Sequence, residues 1–277
     1  MRLRPAHATT GPGWLAPRRE TRSGRPPRSV VVRALGRRPE LAVFAAAYLL
    51  YDGARWIFAG HLAEAREHAD RIVSLERSAH VAIEAPIQRA LDAGAPSWLL
   101  SNVYLAAQLV VLPGALIWLY RRSRPAYRQL RNTVIATWLI AVPIFALFPV
   151  APPRLAGIGI ADTVSGQAAV ALTGHSTVFY NPYAAVPSLH VGFAFAIGVA
   201  AAAALRAPWA RTLALLWGPL VTLSVLATGN HYVFDVAAGL LVTAAGFAAG
   251  RLTNRHRHEA ANDRRTSSLV VATRSYP

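Results

Sequence analysis

The sequence predicts an all-α fold: a polytopic membrane protein whose six transmembrane helices form a bundle, with an amphipathic helix at the membrane interface. Three observations predict it. The 277 residues are 54% hydrophobic and only 15% charged, against about 25% charged in a typical soluble domain. The apolar residues come in blocks, several of them about 18 to 20 residues long, the length that crosses a bilayer as a helix. All 29 basic residues are arginine, and they gather in the two tails and in short links between apolar blocks. Basic residues take that distribution on the cytoplasmic side of a membrane protein.

Residues 1–40 hold ten arginines, many prolines and glycines, and almost no apolar periodicity. That is the composition of a disordered basic tail. The run is polar from its start, so no cleavable signal peptide is expected. A first span is expected over 41–60 and carries Asp52 and Arg55, three apart and so on one helical face. Charges inside a span face the bundle interior, as an ion pair or beside a site. Over 61–96, charged residues from Glu64 to Arg89 alternate with Ile72, Val73, Leu75, Val81, Ile83, Ile87 and Leu91. One or two amphipathic helices follow from this pattern, broken near Pro86 and lying on the membrane surface.

Further spans are expected over 98–120, 133–150, 188–205, 212–228 and 231–249, with Pro219 inside the fifth. Proline is tolerated there because neighbouring helices satisfy the freed backbone groups. The stretch 151–187 is too long for a simple connector and is expected to be a functional loop. The domain organisation is then a tail over 1–40, a membrane domain over 41–250 and a basic tail over 251–277.

Six spans place both termini on one side. The arginine-rich tails and the links 121–131 and 206–211 fall on that same side, which makes it cytoplasmic. The chain is expected in the cell membrane as a multi-pass protein. The segment 61–96, the loop 151–187 and the turn at Gly229-Asn230 are then extracytoplasmic. A net charge of +16 could also signal nucleic-acid binding. The arginines follow topology rather than a binding face, so no nucleic-acid partner is expected. The absence of cysteine excludes disulfides and thiolate metal sites.

Two histidines stand at helix mouths on the outer side. The turn-rich run Asn181-Pro182-Tyr183-Ala184-Ala185-Val186-Pro187-Ser188-Leu189-His190 ends where one apolar block begins, and His231 opens the last block with Asp235 four residues on. Residues four apart share a helical face. A carboxylate there can accept the Nδ1 proton of the imidazole and leave Nε2 as nucleophile or base. His190 then serves to protonate a leaving oxygen. Arg154 follows the third span in Pro149-Val150-Ala151-Pro152-Pro153-Arg154. An arginine fork beside the amides of Ser188 and Leu189 at a helix start makes a phosphate site. Two histidines and a carboxylate could also hold a metal, but an arginine beside them favours an anion. Asn181 and Tyr183 are candidates to line the site, although Asn-Pro-Tyr is equally good turn chemistry.

At these residues the chain resembles the type 2 phosphatidic acid phosphatase (PAP2) superfamily, whose motifs are Lys-x6-Arg-Pro, Pro-Ser-Gly-His and Ser-Arg-x5-His-x3-Asp. Pro187-Ser188-Leu189-His190 matches the second with leucine for glycine. Ser224-Val225, five residues, then His231-x3-Asp235 matches the third with Val225 for arginine. The first motif is absent; Arg124-Pro125 lies in a cytoplasmic link, and Arg154 is the better equivalent. Ala-Pro-Pro-Arg, Pro-Ser-Leu-His and Gly-Asn-His-Tyr-x2-Asp together resemble the inositolphosphotransferase-like subgroup that includes inositol phosphorylceramide synthase.

The resemblance implies a bundle of six spans and a phosphohistidine mechanism. His231 is the nucleophile, Asp235 orients it, and His190 is general acid and base. Arg154 and the amides of Ser188 and Leu189 bind the phosphoryl group, and neither metal nor cofactor is needed. Arg55 is the candidate to replace the charge lost at Val225. The partners implied are the bilayer and a lipid phosphate; oligomeric state is left open. Hydrolysis by water and transfer to an alcohol such as inositol or a glycolipid stay open as outcomes. A transporter or scaffold with a degenerate site is the reading from another class.

Overall fold

The computed structural model describes residues 62–167 and 183–274, the stretch 256–274 as backbone only. The expected first span with Asp52 and Arg55, and the loop residues His175, Tyr180 and Asn181, lie outside the described residues. Among the described residues every regular element is a helix, and the one β contact is an isolated parallel bridge between Val150 and Ala184.

The amphipathic segment forms two helices, α1 (Leu62–Ser78) and α2 (Glu84–Leu91). The break falls over 79–83, where His80 adopts a positive φ of 58°, and not at Pro86. Pro86 sits in the first turn of α2, where a missing N–H breaks no helical hydrogen bond. The apolar face of α1 does not simply rest on the surface: Ala65, Ala69, Ile72 and Val73 are buried against Val150, Ala151, Val186 and Tyr232. The exposed apolar side chains here are Leu62, Leu75, Val81 and Ile83.

Helix α3 (Gly94–Arg122) contains a π-helical turn over Ala107–Val111. Pro113 follows it and explains it: its ring would meet the carbonyl of Leu109, and the wider turn relieves that clash. Helix α4 (Arg124–Leu147) begins almost at once, because Ser123 caps the Ala126 N–H at 3.5 Å and Pro125 lies in the first turn. The expected basic link over 121–131 is therefore the meeting of two helix ends, with the Arg124 guanidinium 3.4 Å above the Tyr120 ring. A short helix α5 (Val164–Gln167) is capped by Asp162, whose Oδ1 accepts from Val164 and Ser165. Then come α6 (Leu189–Ala204), α7 (Pro208–Ala227) and α8 (Val233–Arg274), the last continuing well past the expected end of its span.

Among the described residues four helices are long and apolar enough to cross a membrane: Gly94–Arg122, Arg124–Leu147, Pro208–Ala227 and Val233–Arg255. This is a membrane protein by that measure, but the expected count of six is not supported. Helix α6 is apolar but has 16 residues, roughly 24 Å at 1.5 Å per residue, short of a full hydrocarbon core. The first expected span is the one outside the described residues.

Helix α8 packs on α4 and α6, and α6 packs on α7. Glycine makes the closest approach possible. A Cβ on Gly239 would lie 2.3 Å from the Ser188 carbonyl oxygen, and one on Gly192 would lie 2.0 Å from Thr243 Oγ1. The start of α6 is thus pressed against α8 one turn beyond Asp235. That contact brings the two histidine mouths together.

Candidate active site

His231 precedes α8 and is buried. Its Nδ1 lies 3.0 Å from the Ala185 carbonyl oxygen and 3.3 Å from Asp235 Oδ2. A carbonyl oxygen only accepts, so Nδ1 carries the proton and the lone pair is on Nε2. Asp235 is fully buried; its Oδ2 also accepts the Tyr232 N–H at 2.9 Å, while Oδ1 has no hydrogen-bond partner. His190, in the first turn of α6, has its ring centroid 6.0 Å from that of His231. The Tyr104 ring stacks on His190 at 4.3 Å, inclined by 18°. The residues that the sequence pairs across 41 positions do meet, through packing of α6 on α8.

Arg154 lies in a 3-10 turn, Pro153–Leu155. Its backbone N–H donates to the Gly229 carbonyl at 3.0 Å, and its guanidinium donates to Asn230 Oδ1 and lies 3.4 Å from Asp162 Oδ2. Arg154 is therefore tethered to the two residues that precede His231. Gly229 has a φ of 66°, and a Cβ there would lie 2.7 Å from Ile160 Cγ2. Both the backbone and the space require glycine at this turn.

Gln88 of α2 ties the arginine loop to the end of α7. Its Nε2 donates to the carbonyls of Ala161 and Ala227 at 2.9 and 3.1 Å, and its Oε1 accepts the Ala161 N–H at 2.8 Å. Replacing Gln88 with alanine orphans these groups, at about 2 kcal/mol of stability. Turnover is expected to fall roughly 10-fold as the Arg154 loop loosens. Thermal unfolding in detergent and kcat on the same preparation would check this; an unchanged melting point removes the claim.

The remaining expected site residues are placed differently. The Ser188 N–H donates to the backbone carbonyl of Asp235 at 3.0 Å, so it is committed within the protein. The first-turn donors without intrahelical acceptors begin at Leu189. The Ser188 hydroxyl is buried without a hydrogen-bond partner. Val225 is fully buried in an apolar cluster with Tyr104, Val191 and Val221, and only its carbonyl turns to the site, accepting from Asn230 and His231 N–H. Tyr183 uses its carbonyl to accept the Val150 N–H at 2.7 Å and packs beside α1. Arg55 lies outside the described residues. Among the described residues no three His, Asp or Glu side chains converge to hold a metal ion.

Comparison with protein families gives one match: the model described as PAP2 superfamily covers residues 70–249. The chain belongs to the PAP2 superfamily. Comparison with curated proteins and with solved structures gave no significant match. The matched region runs from α1 through the apolar part of α8, so the PAP2 unit includes the amphipathic helices as well as the histidines.

Several residues of this PAP2 site escaped the sequence. Tyr104 and Gln88 sit in ordinary helical patterns, and nothing local marks them. Asn230, next to His231, is legible as a turn residue and as part of the Gly-Asn-His-Tyr motif, but not as the partner of Arg154. Glu76 and Glu84 read as solvated charges of an amphipathic helix, yet both are buried, and their Oε1 atoms accept the N–H groups of Phe234 and Val233 at 2.7 and 2.8 Å. Burial pushes the Glu76 carboxyl up to about 8, opposed by the Phe234 N–H and reinforced by the neighbouring Glu84. A carboxyl whose folded pKa exceeds its unfolded value of 4.5 stabilises the fold fully below that value and loses the contribution as pH rises through about 8. The melting point is expected to fall as pH rises from about 4.5 to about 8, with little further loss above that, and Glu76→Gln to flatten the fall. An equal slope in the variant would show that another group titrates.

Proposed function

We propose that this PAP2 member cleaves the phosphate of a lipid-linked substrate through a phosphohistidine on His231. The observation that carries this reading is the pairing of His231 Nδ1 with Asp235 and Ala185 while His190 stands 6.0 Å away, ring to ring. Nε2 of His231 attacks phosphorus and the bond to the leaving oxygen breaks, with His190 giving its proton to that oxygen. Water then gives a proton to His190 and attacks phosphorus; the P–N bond breaks and inorganic phosphate leaves. Asp235 holds the tautomer and stabilises the imidazolium character that develops. Arg154, steadied by Asn230, and the Leu189 N–H receive charge on the phosphoryl oxygens.

Orientation follows from charge. Arg121, Arg122, Arg124, Arg128, Arg206 and Arg211 lie at or next to the ends of α3, α4, α6 and α7 remote from the histidines, and Arg251 and Arg255 lie where the apolar part of α8 ends. The positive-inside rule puts that end in the cytoplasm and the site on the extracytoplasmic face, where an outer-leaflet headgroup reaches it.

A second reading, transfer to an alcohol, is favoured by Val225. Val225 stands where the third motif has arginine, and this departure, together with Ala-Pro-Pro-Arg and Pro-Ser-Leu-His, leans toward the subgroup named for inositol phosphotransfer. The deciding experiment uses purified full-length protein in mixed micelles with a panel of lipid phosphates, with and without polyol acceptors. Free phosphate without acceptor supports hydrolysis; a new phospholipid that forms only with acceptor supports transfer. No product in either arm, with His231→Ala indistinguishable from wild type, would favour a scaffold.

A further inference from the structure

Helix α8 lacks a conventional cap. Four N–H groups at a helix start have no intrahelical acceptor, and the capping position here is Tyr232, whose side chain turns away to donate from its hydroxyl to the Ala151 carbonyl at 3.1 Å. Asp235 returns to the Tyr232 N–H, one half of a capping box. The next two donors, Val233 and Phe234, are met by Glu84 and Glu76, which lie 149 and 158 residues earlier in the chain. Both residues are nearly inaccessible, at 4% and 2% exposure. Burying two carboxyl groups is costly unless each is fully partnered. Leucine or alanine would pack an amphipathic helix at lower cost. The pair is spent on the one turn that carries His231 and Asp235.

We propose that Glu76 and Glu84 are positioning residues for the histidine site, a remote cap that fixes the first turn of α8 and with it the His231–Asp235 hydrogen bond. The inference rests on the reading that His231 and Asp235 carry the chemistry. Its geometry has a direct consequence. Loss of either acceptor frees a backbone donor next to Asp235, the first turn frays, and Nδ1 of His231 loses its fixed partner. Displacements of about 1 Å at a reacting group lower turnover on the order of 100-fold. The titratable groups facing Glu76 are Glu84 beside it, Asp235 of α8 and Tyr232 before it, and with burial they favour its neutral form. Glutamine at position 76 reproduces that neutral form, and its amide oxygen still accepts from Phe234.

The test uses full-length protein in detergent, as wild type, Glu76→Ala, Glu84→Ala, Glu84→Asp and Glu76→Gln. Backbone hydrogen exchange is followed in peptides covering 228–240 and 189–204, and kcat and KM are measured on phosphatidic acid in mixed micelles. In the alanine variants, exchange over 228–240 is expected to rise at least ~10-fold, with 189–204 unchanged. Their kcat is expected to fall roughly 10- to 100-fold while KM stays within about 3-fold. Glu84→Asp, too short to reach Val233, is the milder variant if alanine does not fold, and shows the same direction. Glu76→Gln keeps both readouts within about 3-fold of wild type. Unchanged exchange over 228–240 in the alanine or aspartate variants overturns the proposal, as does an unchanged kcat where exchange has risen. Absence of turnover in wild type instead overturns the phosphoryl-transfer reading, and the exchange data still decide whether the carboxylates hold the turn.

Discussion

Replacing His231 with alanine is expected to lower kcat/KM on a lipid phosphate on the order of 10⁴-fold or more, as removal of a covalent nucleophile does. Stability should change little by comparison, because His231 makes one backbone contact to Ala185 and one to Asp235. The same residue is expected to carry the label when wild type is quenched after brief exposure to a substrate with radioactive phosphate. Phosphate on imidazole survives alkali and is lost in acid, which separates it from a phosphoserine or phosphothreonine. Asp235→Asn keeps the shape but loses the charge and offers an amide donor in place of an acceptor. A loss of about 10²- to 10⁴-fold is expected, because the imidazole loses its tautomer and its counter-charge. Residual turnover within 10-fold of wild type in His231→Ala would end the phosphohistidine mechanism.

Arg154→Ala is the second large effect, with kcat expected to fall roughly 10²- to 10³-fold through loss of a preorganised charge at the phosphoryl oxygens. Arg154→Lys should recover only part of it, since an ammonium cannot make the two parallel bonds of a guanidinium. Asn230→Ala separates charge from orientation. The guanidinium stays but loses the Oδ1 that holds it, and Asn230 Nδ2 no longer reaches Thr228 Oγ1 at 2.8 Å. A loss of about 10-fold is expected there. Steady-state kinetics and inhibition by inorganic phosphate would check the series; phosphate affinity should drop in Arg154→Ala more than in Asn230→Ala. Equal kinetics for wild type and Arg154→Ala would move the phosphate site elsewhere.

Helix positions were legible because their causes are local. Eighteen or more apolar residues in a row can only be satisfied as a helix in a bilayer, and the ends of α6 and α7 fall within a few residues of the expected ones. Where the reading failed, a competing local cause was present. Ser123 and Pro125 start a helix inside what charge alone marks as a link. Pro86 reads as a breaker, but it occupies a first turn, the one place where proline is harmless. The spacing from His190 to His231 and Asp235 pointed to a pair, because each stands at the start of an apolar block.

Residue order alone thus establishes a helical membrane chain with two histidines, one aspartate and one arginine at helix ends, because each of those features depends on a few neighbouring residues. Tertiary packing establishes what those residues touch. It commits the Ser188 amide to Asp235, buries Val225 away from the site, hands Arg154 to Asn230, and turns Glu76 and Glu84 inward onto the start of α8. Amphipathic periodicity cannot foretell the last of these. A glutamate on a polar helical face is solvated by default, and only a second element bringing unpaired N–H groups into reach makes its burial favourable.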